Sequence, residues 1–430
     1  METQIEVIFK GSKLKGILIR ETENILTLKL SSGYNSNLKK SQVKEISRET
    51  LELEQIKTNS IEIKKKSSLP KIAILHTGGT IASKVDYETG AVTSRSTPEE
   101  LLALYPELSK LVNIEPEMIG NILSGDLNIA HWNVILKSIE EKLKDKNLSG
   151  IIISHGTDTL SYSAPALQYA IKNLSIPVIL VGSQRSSDRP GADAYLNLTR
   201  AVEFIIKQSK EKEQFRRVGV SMYSSINDGE VTIFDAINVK KAHSSRRDAF
   251  KQINYSPFAI IGENSYVEVR PELKSLILKE KPIVSYFNED IKIGIFKTHP
   301  SLRPKELEML SYYDAVIIEG TGMGNLHVNK VDDITKFGPG NLNALKNLQK
   351  TTKVVMLSQT GSGMTALNVY SYGVKIKETG VLGNFMNLIS ESLYSRLVFC
   401  LSSKSNFEEI WESQLEGFNL ITLDVEEKEK

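Results

Sequence analysis

The stretch KIAILHTGGTIAS, residues 71–83, decides how the main body of the chain is read. Ile72, Ala73, Ile74 and Leu75 form an uninterrupted apolar run, the mark of a strand buried on both faces. The run ends in the pair Gly78–Gly79, flanked by Thr77 and Thr80, and apolar residues then resume. The pattern recurs in GIIISH (150–155), PVILVGS (177–183), RVGVSM (217–222), AVIIEG (315–320) and KVVMLS (353–358). Helical stretches fall between these runs: PEELLALYPEL (98–108), HWNVILKSIEEKLK (131–144), YSAPALQYAIKN (162–173) and DAYLNLTRAVEFIIKQ (193–208). Strands alternating with helices of this length predict an α/β fold with a doubly wound, mainly parallel sheet.

Residues 1–50 read differently. IEVIF, KGILIRE and NILTLKL are short, β-branched and alternating, and KGSK, ETEN and SSGYNSN punctuate them. They predict a small antiparallel unit, sized for a compact β-barrel. Residues 51–69 turn charged and polar and end in KKKSSL just before Pro70, which reads as a solvated linker. The expected division is a β-barrel over 1–50, a charged linker over 51–69, an α/β domain over 70–275, a second over 290–415 and an acidic tail over 416–430.

Composition narrows the function classes. The chain has 430 residues, 40% hydrophobic and 25% charged, as in an ordinary water-soluble protein. A formal net charge of +2 gives no field that would by itself argue for nucleic acid. One cysteine, Cys400, cannot form an internal disulfide, which fits a reducing cytoplasm. The N-terminus METQIEVIFKGSKLKG lacks a signal-peptide pattern, and no apolar run reaches the roughly 18–20 residues that span a bilayer.

In an open parallel sheet, ligands collect where strands end and helices begin. Five such ends carry polar groups: HTGGTIAS, HGTDTLSYSAP, GSQRSSDRPGADA, GTGMGNLH and SQTGSGM. Five together at matching ends of one sheet are hard to explain as tight bends. None matches the phosphate cradle or the dinucleotide fingerprint. The hydroxyls point instead to nucleophilic chemistry, since threonine needs a base to take its proton. Thr157–Asp158 sets a hydroxyl beside a carboxylate, and a buried lysine paired with that carboxylate would serve as the base. His155 reads as a structural histidine at a strand end.

HTGGTIAS and HGTDTLSYSA resemble the two signature segments of the bacterial-type L-asparaginases, amidohydrolases with threonine nucleophiles, and the likeness runs from Lys71 to about Leu401. It implies that Thr80 is the first nucleophilic threonine and Tyr87 the lid tyrosine that bonds it. Thr157 and Asp158 match the second threonine and its acid. Lys241 fits the lysine of that triad, with Lys240 as the neighbour that could be mistaken for it. Ser124 matches the serine that holds the substrate's α-carboxyl group. An acyl–enzyme route follows: a threonine attacks the side-chain amide carbon, ammonia leaves, and water restores the hydroxyl. Backbone N–H groups at Gly78–Gly79 and near Thr157 would stabilise the oxyanion. Which threonine forms the covalent bond is left open.

Two features depart from a free-standing asparaginase. One is the N-terminal β unit. The other is Gly125, where many such enzymes carry a glutamine, together with the absence from SQTGSGMTALNVYSYG of their acidic residue for the substrate's α-ammonium group. Both features, with HSSRRDAF and GSQRSSDRPGADA, resemble the D subunits of archaeal glutamyl-tRNA(Gln) amidotransferases. That resemblance implies a glutaminase that takes glutamine or asparagine and passes ammonia to an E subunit. The E subunit would amidate Glu-tRNA(Gln) with ATP and magnesium. No cofactor or metal is implied in this chain, and a homodimer core within a heterotetramer is expected. The alternatives are a stand-alone L-asparaginase and, less favoured, an RNA-binding module on an inactive enzyme body. Residues 1–50 lack the aromatic and basic face that the last would need.

Overall fold

The computed structural model describes residues 2–30, 35–51, 68–78, 83–85, 92–94, 107–185, 192–226, 229–276, 280–403 and 406–416. Gly79, Thr80 and Tyr87, most of the linker, most of PEELLALYPEL and residues 417–430 lie outside them.

The N-terminal unit is an antiparallel sheet of β1 (Glu2–Phe9), β2 (Ser12–Glu21), β3 (Ile25–Leu30), β4 (Asn35–Lys39) and β5 (Val43–Leu51). Its hairpin between β1 and β2 turns on Lys10 and Gly11, both at positive φ (51° and 82°). Two such residues make the tight turn whose twist matches the flanking strands. Alternation buries Ile5, Val7, Leu26, Leu28 and Leu38 in a core of their own. The sheet order is β4-β3-β2-β1-β5. The expected antiparallel unit is present, and among the described residues no ladder joins β4 to β5. The short 3₁₀ turn Lys40–Gln42 carries the chain from one edge to the other, and β5 pairs with β1 instead.

The main body begins with β6 (Lys71–Gly78), followed by the ribbon β7 (Ser83–Val85) and β8 (Val92–Ser94). Next come β9 (Asn113–Ile122), β10 (Leu148–Ser154), β11 (Ile171–Lys172), β12 (Val178–Val181), β13 (Val218–Tyr223) and β14 (Val231–Asp235). The ribbon β15 (Val239–Lys241) with β16 (Phe250–Gln252) precedes β17 (Ala259–Ile261) and β18 (Tyr266–Glu268). An eight-stranded sheet runs β18-β17-β14-β13-β12-β10-β6-β9. Its β9-to-β13 portion is parallel and its β14–β17–β18 edge antiparallel, so the sheet is mixed.

Helices α1 (Ile129–Lys142), α2 (Leu160–Ala170) and α3 (Ala194–Gln208) follow β9, β10 and β12. Successive residues of a strand point to opposite faces. Ala73, Leu75, Ile151 and Ile153 accordingly meet Trp132, Ile135, Ile139 and Leu167 of α1 and α2. Ile72, Ile74, Ile152 and Ile179 meet Leu198, Val202 and Ile205 of α3. The continuous apolar runs thus serve two cores at once.

After the short β19 (Ile283–Val284), which pairs with β11, the second half forms its own parallel sheet. It consists of β20 (Ile293–Lys297), β21 (Ala315–Gly320) and β22 (Lys353–Ser358), with α4 (Gly338–Leu348) on one side. The strand ends in GTGMGNLH and SQTGSGM therefore belong to this sheet, and the five polar ends do not share one sheet edge. The last helices are α5 (Ser390–Ser402) and α6 (Phe407–Glu416). Leu393, Leu397 and Val398 of α5 pack in the core that holds α1, α2, Ala315 and Ile317.

Candidate active site

Strands β6 and β10 lie side by side, so their ends deliver His76–Thr77–Gly78 and His155–Gly156–Thr157–Asp158 to one place. Thr77 Oγ1 donates to the Ser154 carbonyl at 2.8 Å and His76 Nδ1 pairs with Ser154 Oγ, which pins the two ends together. Gly78, the last residue of β6, is buried at φ 111°, a conformation that favours glycine.

Thr157 and Asp158 lead into the first turn of α2. The Asp158 amide donates to Ser124 Oγ at 3.2 Å, and Thr159 Oγ1 donates to the Ser124 carbonyl at 2.8 Å. Ser124 begins a 3₁₀ turn after β9, Ser124–Asp126, and is buried. The approach is close enough to require glycine at two positions. A Cβ on Gly156 would stand 2.5 Å from Ser124 Oγ, and one on Gly182 would stand 2.8 Å from Thr157 Cγ2. By contrast, a Cβ on Gly125 would meet no atom within 4 Å, so the side chain missing there leaves open space.

Lys241 arrives from β15, which belongs to neither large sheet. Its Nζ donates to Thr157 Oγ1 at 2.8 Å and to Asp158 Oδ1 at 2.6 Å, 84 and 83 residues away in sequence. The lysine side chain is 15% exposed and the Asp158 side chain 73%, so the ion pair straddles the boundary between protein and solvent. Thr157 itself is buried. The Lys241 backbone N–H donates to Ser161 Oγ of α2 at 3.0 Å. Lys240, one residue earlier on the strand, points elsewhere and pairs with Glu391 at 3.0 Å.

Thr157, Asp158, Lys241 and Ser124 are thus assembled, whereas Thr80, Tyr87 and Gly79 fall outside the described residues. His155 is fully buried, with Nδ1 2.6 Å from the Gly156 carbonyl oxygen. Burial pushes the imidazoles of both His155 and His76 down to about 4, which keeps them neutral at ordinary pH. The sequence reading missed Ser161 and His76 as parts of this scaffold. Ser161 sits inside the quoted HGTDTLSYSA, but nothing in its spacing reveals that its oxygen accepts the lysine amide. Among the described residues no group of three or more His, Cys, Asp or Glu side chains could hold a metal ion, and no helix is long and apolar enough to cross a membrane. Cys400 is buried, and its thiol is pushed up to about 11.

A lysine bonded to both a carboxylate and a hydroxyl can move a proton to or from that hydroxyl, and known proteins resemble this chain in sequence and fold. Residues 71–274 match the family model described as Asparaginase, N-terminal, and residues 292–413 match the Glutaminase/Asparaginase C-terminal domain. β1–β5 lie outside both matches. A curated relative from Thermoplasma volcanium is 35% identical over 96% of this chain and 96% of its own. Another, from Pyrococcus abyssi, is 34% identical over 91% of this chain and 86% of its own. Both are named as the D subunit of a glutamyl-tRNA(Gln) amidotransferase. The 96% coverage means that the first of these likenesses reaches into the N-terminal β unit. Among solved structures, an L-asparaginase from Thermococcus kodakarensis superposes with a TM-score of 0.66 at 26% identity. It covers 79% of this chain and 95% of that one. L-asparaginase I from Vibrio cholerae gives 0.67 at 22% identity over 80% and 97%, a likeness of fold. The chain belongs to the asparaginase family, within the group formed by the D subunits of glutamyl-tRNA(Gln) amidotransferases.

Proposed function

We propose that the chain is the amidohydrolase component of a glutamyl-tRNA(Gln) amidotransferase. It releases ammonia from glutamine or asparagine through a threonine acyl-enzyme and supplies it to a partner that converts Glu-tRNA(Gln) to Gln-tRNA(Gln). The observation that carries this reading is Lys241 Nζ bonded at once to Thr157 Oγ1 and Asp158 Oδ1. A hydroxyl becomes a useful nucleophile only when its proton has somewhere to go. Lys241 is the acceptor, and Asp158 orients the amine and balances the charge it gains.

In this reading Thr80 or Thr157 attacks the side-chain amide carbon. Tyr87 bonds Thr80, and backbone N–H groups of the Gly78–Gly79 turn stabilise the oxyanion. Ser124 and the open surface at Gly125 take the α-carboxyl end of the substrate, and Gly79 is the further residue assigned to substrate binding. Gly125 offers no side chain to the α-ammonium group, which supports weak activity on free amino acids and a need for activation. The partner is an E subunit holding ATP, magnesium and most of the tRNA. This chain forms the homodimer core of a heterotetramer in the cytoplasm. Free ammonia would be largely protonated near neutral pH, which is a physical reason to couple the two sites directly. The β1–β5 unit, closed or open, is the feature that separates this reading from a stand-alone L-asparaginase.

The test is ammonia release from glutamine by the purified chain, before and after adding the co-purifying partner and Glu-tRNA(Gln). Turnover should rise on addition. Unchanged turnover, or vigorous asparagine hydrolysis by the chain alone, would remove the amidotransferase reading in favour of the asparaginase. Mass analysis of the quenched intermediate would show whether Thr80 or Thr157 carries the acyl group.

A further inference from the structure

The strand that carries Lys241 is too small to hold itself in place. β15 spans three residues and pairs with β16, also of three, and a two-stranded ribbon on its own is marginal in water. Lys241 must nevertheless keep its Nζ within hydrogen-bond reach of two side chains on another element. Val239 and Phe250 seat the ribbon in the main core, Gln252 accepts from the Asp235 amide at 2.9 Å, and further hold comes from the second half of the chain. Asn238, just before β15, is fully buried and held at φ 58°, a left-handed conformation that few residues other than glycine adopt. Its Nδ2 donates to the Asn387 carbonyl at 2.8 Å. Its Oδ1 accepts from the Ile389 amide at 2.9 Å, and its own amide donates to Ser392 Oγ at 2.9 Å. Two residues on, Lys240 Nζ reaches both oxygens of Glu391, at 3.0 and 3.2 Å. Every one of these partners lies in Asn387–Ser392, at the start of α5.

A return path closes the loop. Ser395, one turn along α5, donates to the Tyr162 carbonyl of α2 at 2.7 Å. Ser161, next to Tyr162, accepts the Lys241 amide. The lysine is therefore braced from α2 on one side and from α5 on the other. We infer that Asn238 and Glu391 are positioning residues that hold Lys241 on Thr157 and Asp158, so that the start of α5 sets the geometry of the proton-transfer pair. Neither residue touches the reacting atoms, and both act through the strand between them. Where it concerns turnover, this inference rests on the amidohydrolase reading.

The experiment compares Asn238→Gly, Glu391→Gln and Glu391→Asp with the unaltered chain, each with its co-purifying partner present. Glycine keeps the left-handed backbone and the amide bond to Ser392 but removes both side-chain bonds. Glutamine keeps the shape of Glu391 but removes the charge. For Asn238→Gly and Glu391→Gln, kcat for ammonia release should fall about 10- to 100-fold, as a displacement on the order of 1 Å can do. KM should stay within about threefold, since no substrate contact is lost. Glu391→Asp should restore most of the rate. A second readout needs no turnover: the rate at which acetic anhydride modifies Lys241, at one fixed pH, by peptide mass. Loss of the brace should raise it several-fold. A kcat unchanged, or lowered only together with KM, would overturn the inference, as would unchanged Lys241 reactivity. If the unaltered chain releases no ammonia from glutamine or asparagine, the functional reading fails, and Lys241 reactivity alone decides on the brace. If Asn238→Gly does not fold, the Glu391 pair decides.

Discussion

Two strand ends in this molecule look alike in sequence and behave differently in space. Ser154–Thr159 follows β10 and Ser358–Gly363 follows β22, and each sets serine, threonine and glycine at the tip of a parallel strand. In the first, the Thr157 hydroxyl is buried and meets an amine from a distant segment. In the second, the hydroxyls bond one another and backbone carbonyls, Ser358 Oγ donating to that of Gly322. Ser358 Oγ and Thr360 Oγ1 are 2.6 Å apart, and Thr360 Oγ1 donates to the Ser362 carbonyl at 2.7 Å in an exposed loop. A hydroxyl beside glycine at a strand end is thus a turn device by default. It becomes chemistry only when another part of the chain brings it a base.

The contrast breaks most sharply at Lys241. Lys241→Met should lower kcat for ammonia release by about 10³- to 10⁴-fold, the scale of losing a general base, with little change in thermal midpoint. Retention of near-normal turnover would erase the distinction between the two loops. Next in size is a pH effect that the second loop cannot show, since it contains no histidine. His76 and His155 bind a proton near 6.5 when unfolded but only near 4 when folded. The stability they contribute is complete above pH 6.5 and is lost as pH falls toward 4, by about 1.4 kcal/mol per pH unit for each. Urea midpoints between those pH values should show this slope, and His155→Gln should flatten it by about half.

Smaller effects sharpen the contrast. Gly182→Ala places a methyl 2.8 Å from Thr157 Cγ2 and should destabilise by about 1–3 kcal/mol while displacing the hydroxyl. Gly361→Ala in the second loop meets nothing within 4 Å and should stay within about 0.5 kcal/mol by chemical denaturation. Thr360→Val should alter kcat least of all, by less than about threefold. A larger loss would mean that the second loop takes part in the chemistry.

The parts of this architecture that could be read from sequence are those dictated by local pattern. Apolar runs such as Ile151–Ile153 announce strands covered on both faces, because no polar residue interrupts them. Alternation around Ile5 and Val7 announces a sheet with one covered face. AVIIEG and KVVMLS fall in the second α/β domain expected over 290–415, but that their polar ends stand apart from those of the first sheet was not legible, since each run looks the same whichever neighbour it pairs with. Closure of the β1–β5 unit was likewise beyond local pattern, because strand order depends on which edge β5 meets. Thr157, Asp158 and Ser124 were visible through their motifs. Lys241 was visible only through family spacing, and its separation from Lys240 follows from strand alternation, which puts adjacent side chains on opposite faces. Asn238 and Glu391 carry no signature, because their importance lies in contacts about 150 residues apart in sequence.

The seating of α5 has a consequence for how such a chain can be rearranged. Leu393, Leu397 and Val398 complete the apolar interior of the first half, although they are encoded almost at the far end. The boundary between the two family segments is therefore not a seam along which the molecule divides. A fragment ending before residue 292 would leave an oily trench where that helix lies, and gene fusions or swaps that replace the second segment must supply a helix of matching shape to fill it.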